Sequence, residues 1–232
     1  MIPWDAPGPH HVVFTTRNGG VSEGPFESLN LGGKQGDDMG RVQENRRRAC
    51  AELGADVEKL AMTFQVHSPH VHRATAGVRG EAHGDGLWTD EPGVPILALT
   101  ADCVPIALAR TNGSAAVAVL HAGWIGLLDG VVEAGVRSLG GDLAAAVGPS
   151  AGPCCYEVGD EVADPYRARF GRRIMRGRKL DLWQATEAAL RAAGVHRVDR
   201  VDLCTICNPE LFFSERRTGK PRGTQGVLAV VA

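Results

Sequence analysis

The stretch Pro95-Ile96-Leu97-Ala98-Leu99-Thr100-Ala101-Asp102-Cys103-Val104-Pro105-Ile106-Ala107-Leu108-Ala109 decides the fold, together with Ala115-Ala116-Val117-Ala118-Val119-Leu120-His121. It holds three apolar runs of strand length, broken by Ala101-Asp102-Cys103 and by a polar turn. None of the runs alternates strictly between apolar and polar residues. A strand wetted on one face would alternate, so these strands are expected to be covered on both faces. Immediately downstream, Gly126 to Leu139 has helical periodicity, and Gly140-Gly141 stops it.

Outward from this centre the pattern repeats. Strands are expected at Val12–Thr16, at Ala61–Val66 ending on His67, at Leu143–Val147, at Val198–Leu203 and at Val227–Val231. Helices are expected at Arg41–Leu53, stopped by Gly54, and near Glu157–Phe170 and Leu180–Ala193. The segment Asn18–Pro25 reads as a loop, because glycine and proline punctuate it. Strands alternating with helices indicate an α/β architecture. No linker, repeat or low-complexity tract divides the chain, so residues 1–232 read as one domain.

Composition narrows the class. The 44% hydrophobic and 22% charged residues are ordinary for a globular chain. A formal net charge of −2 gives no general attraction to nucleic acid or to an anionic membrane. No apolar run approaches the ~18 residues of a bilayer span, and the N-terminus lacks a secretory pattern. The six cysteines are therefore read as reduced thiols of a cytoplasmic protein. A chain this long buries a full core without staples, so a metal site would serve function before folding.

His67, Cys103 and His121 each lie at the end of an apolar run, where α/β folds place their chemistry. Two imidazoles and a thiolate suit zinc, and three protein ligands leave a fourth position open. Their separations match no compact zinc signature, however, so spacing alone leaves open three structural side chains. A metal-free hydrolase, with Cys103 as nucleophile and His121 as base, uses the same residues.

The strings Thr15-Thr16-Arg17-Asn18-Gly19-Gly20-Val21-Ser22, Ser28-Leu29-Asn30-Leu31-Gly32, Gln65-Val66-His67-Ser68, Thr100-Ala101-Asp102-Cys103, His121-Ala122-Gly123-Trp124, Val147-Gly148-Pro149 with Cys155-Tyr156-Glu157-Val158-Gly159, and Phe212-Phe213-Ser214 with Arg216-Arg217 occur in that order. Together they resemble the YfiH family, also called the polyphenol oxidase or multicopper laccase-domain family. The resemblance runs from about Val12 to the C-terminus. It implies a four-layer α/β/β/α sandwich with mixed sheets, similar to the cytotoxic necrotizing factor catalytic domain. It implies purine nucleoside phosphorylase activity on adenosine, inosine or methylthioadenosine, with adenosine deaminase activity beside it. It places a catalytic zinc on His67, Cys103 and His121. The partners implied are purine nucleosides and phosphate.

The sequence departs from the family pattern at three places. Ile125 stands where relatives carry Arg in H-A-G-W-R-G, Glu215 where they carry Tyr in F-F-S-Y-R-R, and Gly33-Lys34-Gln35-Gly36 is unlike the usual string. These departures leave the ligand set intact and bear on the phosphate pocket and substrate preference.

Other residues carry two readings each. Arg17 is a phosphate fork or a surface turn residue. Asn30 binds ribose or base, or caps Leu31-Gly32. Asp85 is a substrate-site group or a turn former, and Asp102 orients a ligand histidine or caps a turn. Of Arg216 and Arg217, one is expected to face the pocket. His70 and His72 read as structural or exposed. Cys204-Thr205-Ile206-Cys207 has thioredoxin-like spacing, but Pro209 discourages the following helix and the motif reads as non-redox. Cys154 and Cys155 read as packed thiols and not as ligands.

Outside the phosphorylase reading stand a copper polyphenol oxidase, the metal-free hydrolase and a non-catalytic nucleoside-binding protein. The oxidase fits poorly: eight histidines with one H-x-H pair and no H-C-H string fall short of a multicopper set.

Overall fold

The structure, a computed structural model, describes residues 1–232. Two six-stranded mixed sheets form its centre. The first contains β1 (Ile2–Trp4), β2 (His10–Phe14), β3 (Ala61–Phe64), β5 (Arg79–His83), β7 (Ile96–Thr100) and β14 (Gln225–Val231), in the spatial order β1-β2-β14-β7-β3-β5. The second contains β4 (Val71–Arg73), β6 (Gly86–Thr89), β8 (Val104–Arg110), β9 (Val117–Ala122), β10 (Leu143–Val147) and β13 (Arg197–Arg200), in the order β13-β10-β8-β9-β6-β4. A short hairpin, β11 (Met175–Arg176) and β12 (Lys179–Leu180), lies apart.

Strand β8 shows how the layers stack. Val104, Ile106 and Leu108 pack outward with residues of α2 (Trp124–Asp129), α3 (Val131–Leu139), α4 (Asp160–Phe170) and α5 (Leu182–Ala192). Ala107 and Ala109 point the other way and pack with Phe14, Ile96 and Val227 of the first sheet. The outer face of that first sheet, through Val13, Leu97 and Leu228, is covered by Ala49 and Cys50 of α1 (Met39–Ala51). The result is the expected α/β/β/α sandwich. Alanines dominate where the two sheets meet, since face-to-face sheets at about 10 Å leave little depth for large side chains on both surfaces.

Several boundaries differ from the sequence reading. The helix expected over Gly126–Leu139 is two helices, because Gly130 at φ 93° turns the chain into the left-handed region between them. Helix α4 starts at Asp160, after Gly159, and not at Glu157. Strands β4, β5 and β6 were not expected; their polar residues give no apolar run. Strand β3 ends at Phe64, short of Val66. There the Gln65 side chain takes over from the backbone. Its amide donates to Leu99 O (2.8 Å) and accepts from Leu99 N (2.8 Å), so it closes the ladder to β7 while the main chain turns away towards His67.

One end of the sandwich gathers the chemistry. Residues Ala101–Cys103 carry the chain from β7 in the first sheet to β8 in the second. The antiparallel register of β8 and β9 sets Val104 opposite Ala122, which brings His121 beside Cys103. The register of β6 and β9 pairs Gly86 with Leu120, which delivers Asp85 to the same end. Strand β3 runs parallel to β7 and points His67 there too.

Neighbouring positions on β8 should respond in opposite ways to changes of volume. Ala107→Leu is expected to lower stability by about 1–3 kcal/mol through overpacking between the sheets. Leu108→Ala is expected to cost about 2–5 kcal/mol through a cavity under the helices. Urea unfolding of the two variants beside the wild type measures both.

Candidate active site

His67, Cys103 and His121 present one ligand atom each, and all three atoms lie within 4.8 Å of one another. Cys103 Sγ is 3.9 Å from His67 Nε2. The two imidazoles meet edge to face, with centroids 4.8 Å apart. Gly123 makes this approach possible: a Cβ there would stand 2.6 Å from His67 Cδ2 and 3.3 Å from Cys103 Sγ.

Asp85 holds two of the three. Its Oδ1 lies 2.8 Å from His121 Nδ1, which leaves Nε2 of that ring for the cluster. Its Oδ2 accepts from Val66 N (3.2 Å), Ser68 N (2.6 Å) and Ser68 Oγ (3.0 Å), the groups on either side of His67. His67 itself is held at φ 62°, a conformation that non-glycine residues rarely adopt. Burial alone would raise the pKa of Asp85, but His121 and these N–H donors outweigh it and hold the carboxyl at about 2.

Cys103 is fixed from the other side. Asp102, at φ 89°, accepts from Thr205 Oγ1 (2.6 Å), Ser214 Oγ (3.0 Å) and Arg216 N (2.7 Å). Its carboxylate therefore anchors the crossover turn to the C-terminal loops and does not orient a histidine; that role belongs to Asp85. Burial pushes the Cys103 thiol up, yet His121 and His67 more than offset this and bring it down to about 6. Burial works against a charged His121, while the Cys103 thiolate and Asp85 raise it to about 9. The protein thus favours a thiolate beside an imidazolium near neutral pH. A thiolate with two imidazoles, all within reach of one point, is a donor set for a borderline-soft divalent metal.

The cluster lies at the wall of a cavity of about 320 Å³. This is within the lower range of small-molecule sites. The remaining wall is basic: Lys34, Arg46, Arg79 and Arg222 line it, and no Asp or Glu does. Arg46 is buried in α1, and its Nε donates to Leu31 O (2.9 Å). Burial, with Arg79 nearby, lowers it to about 10, so it stays cationic at neutral pH. Lys34 sits over the Phe64 ring at 3.2 Å from its centroid. Arg222 pairs with Glu215 at 2.6 Å, so the departure from Tyr at Glu215 places a carboxylate against a cavity arginine.

The substrate residues expected from sequence lie elsewhere. Arg17 spends its guanidinium on Glu27 O (2.8 Å) and Pro209 O (2.9 Å) and stacks over Phe213. Arg217 holds Thr205 O, Ile206 O and Phe212 O. Arg216 reaches Glu157 O and covers Tyr156. None of the three lines the cavity. Asn30 is fully buried and bonds Gly32 on both sides, so it shapes the Gly32–Gln35 wall without facing the cavity. Asp85 is likewise consumed by protein donors. Ile125 is partly exposed on α2 and does not line the cavity either.

Sequence reasoning missed Arg46 and Arg79. A signal for Arg46 existed: it shares the buried face of α1 with Val42, Asn45, Ala49 and Cys50, where a solvated arginine would not lie.

The sequence and the fold have close counterparts. A family model described as multi-copper polyphenol oxidoreductase laccase matches residues 11–232. The chain is 39% identical to a purine nucleoside phosphorylase of Pseudomonas aeruginosa, over 94% of this chain and 92% of that one. It is 37% identical to the purine nucleoside phosphorylase YlmD of Geobacillus stearothermophilus, over 92% and 86%. The crystal structure of YlmD from that organism superposes with a TM-score of 0.88 at 34% identity, covering 97% of this chain and 92% of the other. That of YfiH from Bacillus licheniformis gives 0.85 at 30% identity, covering 96% and 93%. With the sandwich, the ordered strings and these matches in agreement, the chain belongs to the multi-copper polyphenol oxidoreductase laccase family, the family of YfiH and YlmD.

Proposed function

We propose that this chain is a purine nucleoside phosphorylase with one catalytic zinc held by His67, Cys103 and His121, acting on adenosine, inosine or methylthioadenosine. The observation that carries the reading is the convergence of a two-histidine, one-thiolate set on a cavity whose other charged residues are all cationic. The names of the relatives at 37% and 39% identity support the same reaction. A zinc ion there would supply Lewis acidity at its open position.

In phosphorolysis a phosphate oxygen bonds to the anomeric carbon as the bond from that carbon to the purine nitrogen breaks. The electron pair leaves with the purine, which takes up a proton, and the products are free base and sugar 1-phosphate. Lys34, Arg46 and Arg222 provide the field that holds the phosphate dianion against the sugar, with Arg79, whose guanidinium is engaged by Leu60 O, Val57 O and Gln43 Oε1, adding charge. The Phe64 ring borders the same cavity, with Lys34 over it and His83 stacked at 4.9 Å, so it fixes the lysine charge at the wall. No transmembrane helix is present and all six cysteines are free, which suits a cytoplasmic enzyme on small soluble substrates.

Deamination ranks lower. Zinc deaminases move protons with a glutamate, and no carboxylate lines this cavity. A multicopper oxidase ranks lower again, since the metal-capable histidines form a single pair. A metal-free thiol hydrolase has one specific observation behind it, the Cys103–His121–Asp85 alignment with its low thiol pKa.

Four measurements test these readings. Adenosine, inosine and methylthioadenosine should release free base only when phosphate is present, as read by mass. Cys103→Ala, His67→Ala and His121→Ala should each lose turnover by at least 100-fold, on the order of a lost metal centre, and should lose one equivalent of zinc relative to the wild type. Activity retained in a metal-free preparation would replace this reading with the hydrolase.

Alkylation of Cys103 separates them further. In chelated protein, iodoacetamide labelling of the Cys103 peptide should rise with a midpoint near pH 6, because the thiolate forms as pH climbs through its lowered pKa. Zinc should suppress that labelling across the range.

The fourth concerns phosphate. Arg222→Ala and Lys34→Ala should raise the phosphate concentration for half-maximal rate by roughly 10-fold, on the scale of one charge-assisted contact. Arg17→Ala should instead lower stability and leave that concentration unchanged. Initial rates against phosphate, paired with thermal melts, give both readouts.

A further inference from the structure

Away from the active centre, four cysteine sulfurs converge. Cys154, Cys155, Cys204 and Cys207 have ligand atoms that all lie within 4.8 Å of one another. Cys207 Sγ is 3.5 Å from Cys154 Sγ and 3.2 Å from Cys155 Sγ. Cys155 packs against the helical side of the core, as the sequence suggested, while Cys154, read the same way, is exposed, as is Cys207. Topology explains the meeting. Strands β10 and β13 pair in parallel, so the loops after Val147 and after Arg200 leave the same end of the sheet.

We propose that these four cysteines form a second metal site, a tetrathiolate that binds one zinc ion and ties the β10 loop to the β13 loop. A tetrahedral site with Zn–S bonds of about 2.3 Å sets its sulfurs roughly 3.8 Å apart; the Cys207 contacts at 3.5 and 3.2 Å fall a little inside that edge, and no pair lies beyond 4.8 Å. Cys204-Thr205-Ile206-Cys207 has the two-residue spacing of zinc ligands. The buried sulfur of Cys204 accepts from Gly152 N at 3.2 Å, a contact that suits a thiolate. Gly152 also has to be glycine, because a Cβ would stand 2.5 Å from the Trp183 ring and 3.2 Å from Cys204 Cβ.

The charge suits the surroundings. Four thiolates and one zinc leave a dianion, and two cations already grip the same loops: Lys179 on Cys154 O at 2.5 Å, and Arg217 on Thr205 O at 2.6 Å. The exposed Cys154 and Cys207 give the ion its entry. A disulfide would use two of the sulfurs and leave the other two without a function. The site is structural in effect. Thr205, inside the C-x-x-C loop, donates to Asp102 and so holds the turn that carries Cys103.

The test counts zinc in protein purified and dialysed under a thiol reductant, by elemental mass spectrometry after incubation with zinc alone. Cys103→Ala leaves all four cysteines in place and should keep one equivalent. Cys154→Ser/Cys207→Ser should lose one equivalent relative to the wild type. Cobalt(II) bound to Cys103→Ala should give the strong thiolate-to-metal charge-transfer absorption of a four-sulfur site. If wild type and Cys103→Ala each hold a single equivalent, the tetrathiolate stands and the active-centre zinc falls. A Cys103→Ala protein that binds no zinc, or cobalt without charge-transfer absorption, overturns the proposal, whether or not the double variant folds.

Discussion

The Asp85 carboxylate is the contact on which the active centre depends. One oxygen orients His121, and the other clasps the amides that flank His67. The two histidines come from different sheets, and no backbone hydrogen bond fixes the distance between their rings. The carboxylate supplies that fixed distance. It also compensates the unfavourable backbone of His67, a conformation worth on the order of 1–3 kcal/mol that needs surrounding support. Asp102 does the corresponding work for Cys103, tying the crossover turn to loops more than a hundred residues away in sequence.

The whole centre therefore rests on two buried acids, each saturated with donors. This division of labour separates the ligands from the parts that aim them. It also explains why neither acid faces the cavity, whose own wall is left to cations. A carboxylate in that wall would repel phosphate; held behind it, the same charge steadies the imidazoles and draws them towards the cluster.

The layered fold was legible in the sequence because its central strands are covered on both faces, and continuous apolar runs such as Ala115–Leu120 announce that. The meeting of His67, Cys103 and His121 was visible as three run-ends, though their juxtaposition followed only from the register of β8, β9 and β3. The arginines misled. Arg17, Arg216 and Arg217 sit in the most recognisable strings, yet their guanidiniums bind backbone carbonyls, a structural use that sequence cannot distinguish from anion binding. Arg46 and Arg79 lie in ordinary-looking stretches and reach the cavity only through tertiary packing. The four-cysteine cluster escaped for a related reason: its halves lie in loops brought together by the parallel pairing of β10 with β13 and the Ser150–Cys204 bridge beyond it. Strands β4 and β5 were hidden because they carry His, Arg and Glu, and β6 because Gly86–Thr89 is too short to form an apolar run.

The position of β14 reaches into how the molecule comes into being. This strand, Gln225–Val231, lies between β2 and β7 and pairs with both. During synthesis the first sheet must wait with an open slot at its centre until these residues clear the ribosome. Asp102 waits as well, since Thr205, Ser214 and Arg216 arrive late. The second sheet, whose strands are made earlier and pair mostly with near neighbours, can form first and serve as the template. A chain without Gln225–Val231 would keep β2 and β7 apart, each with a row of unpaired backbone groups facing an unfilled slot.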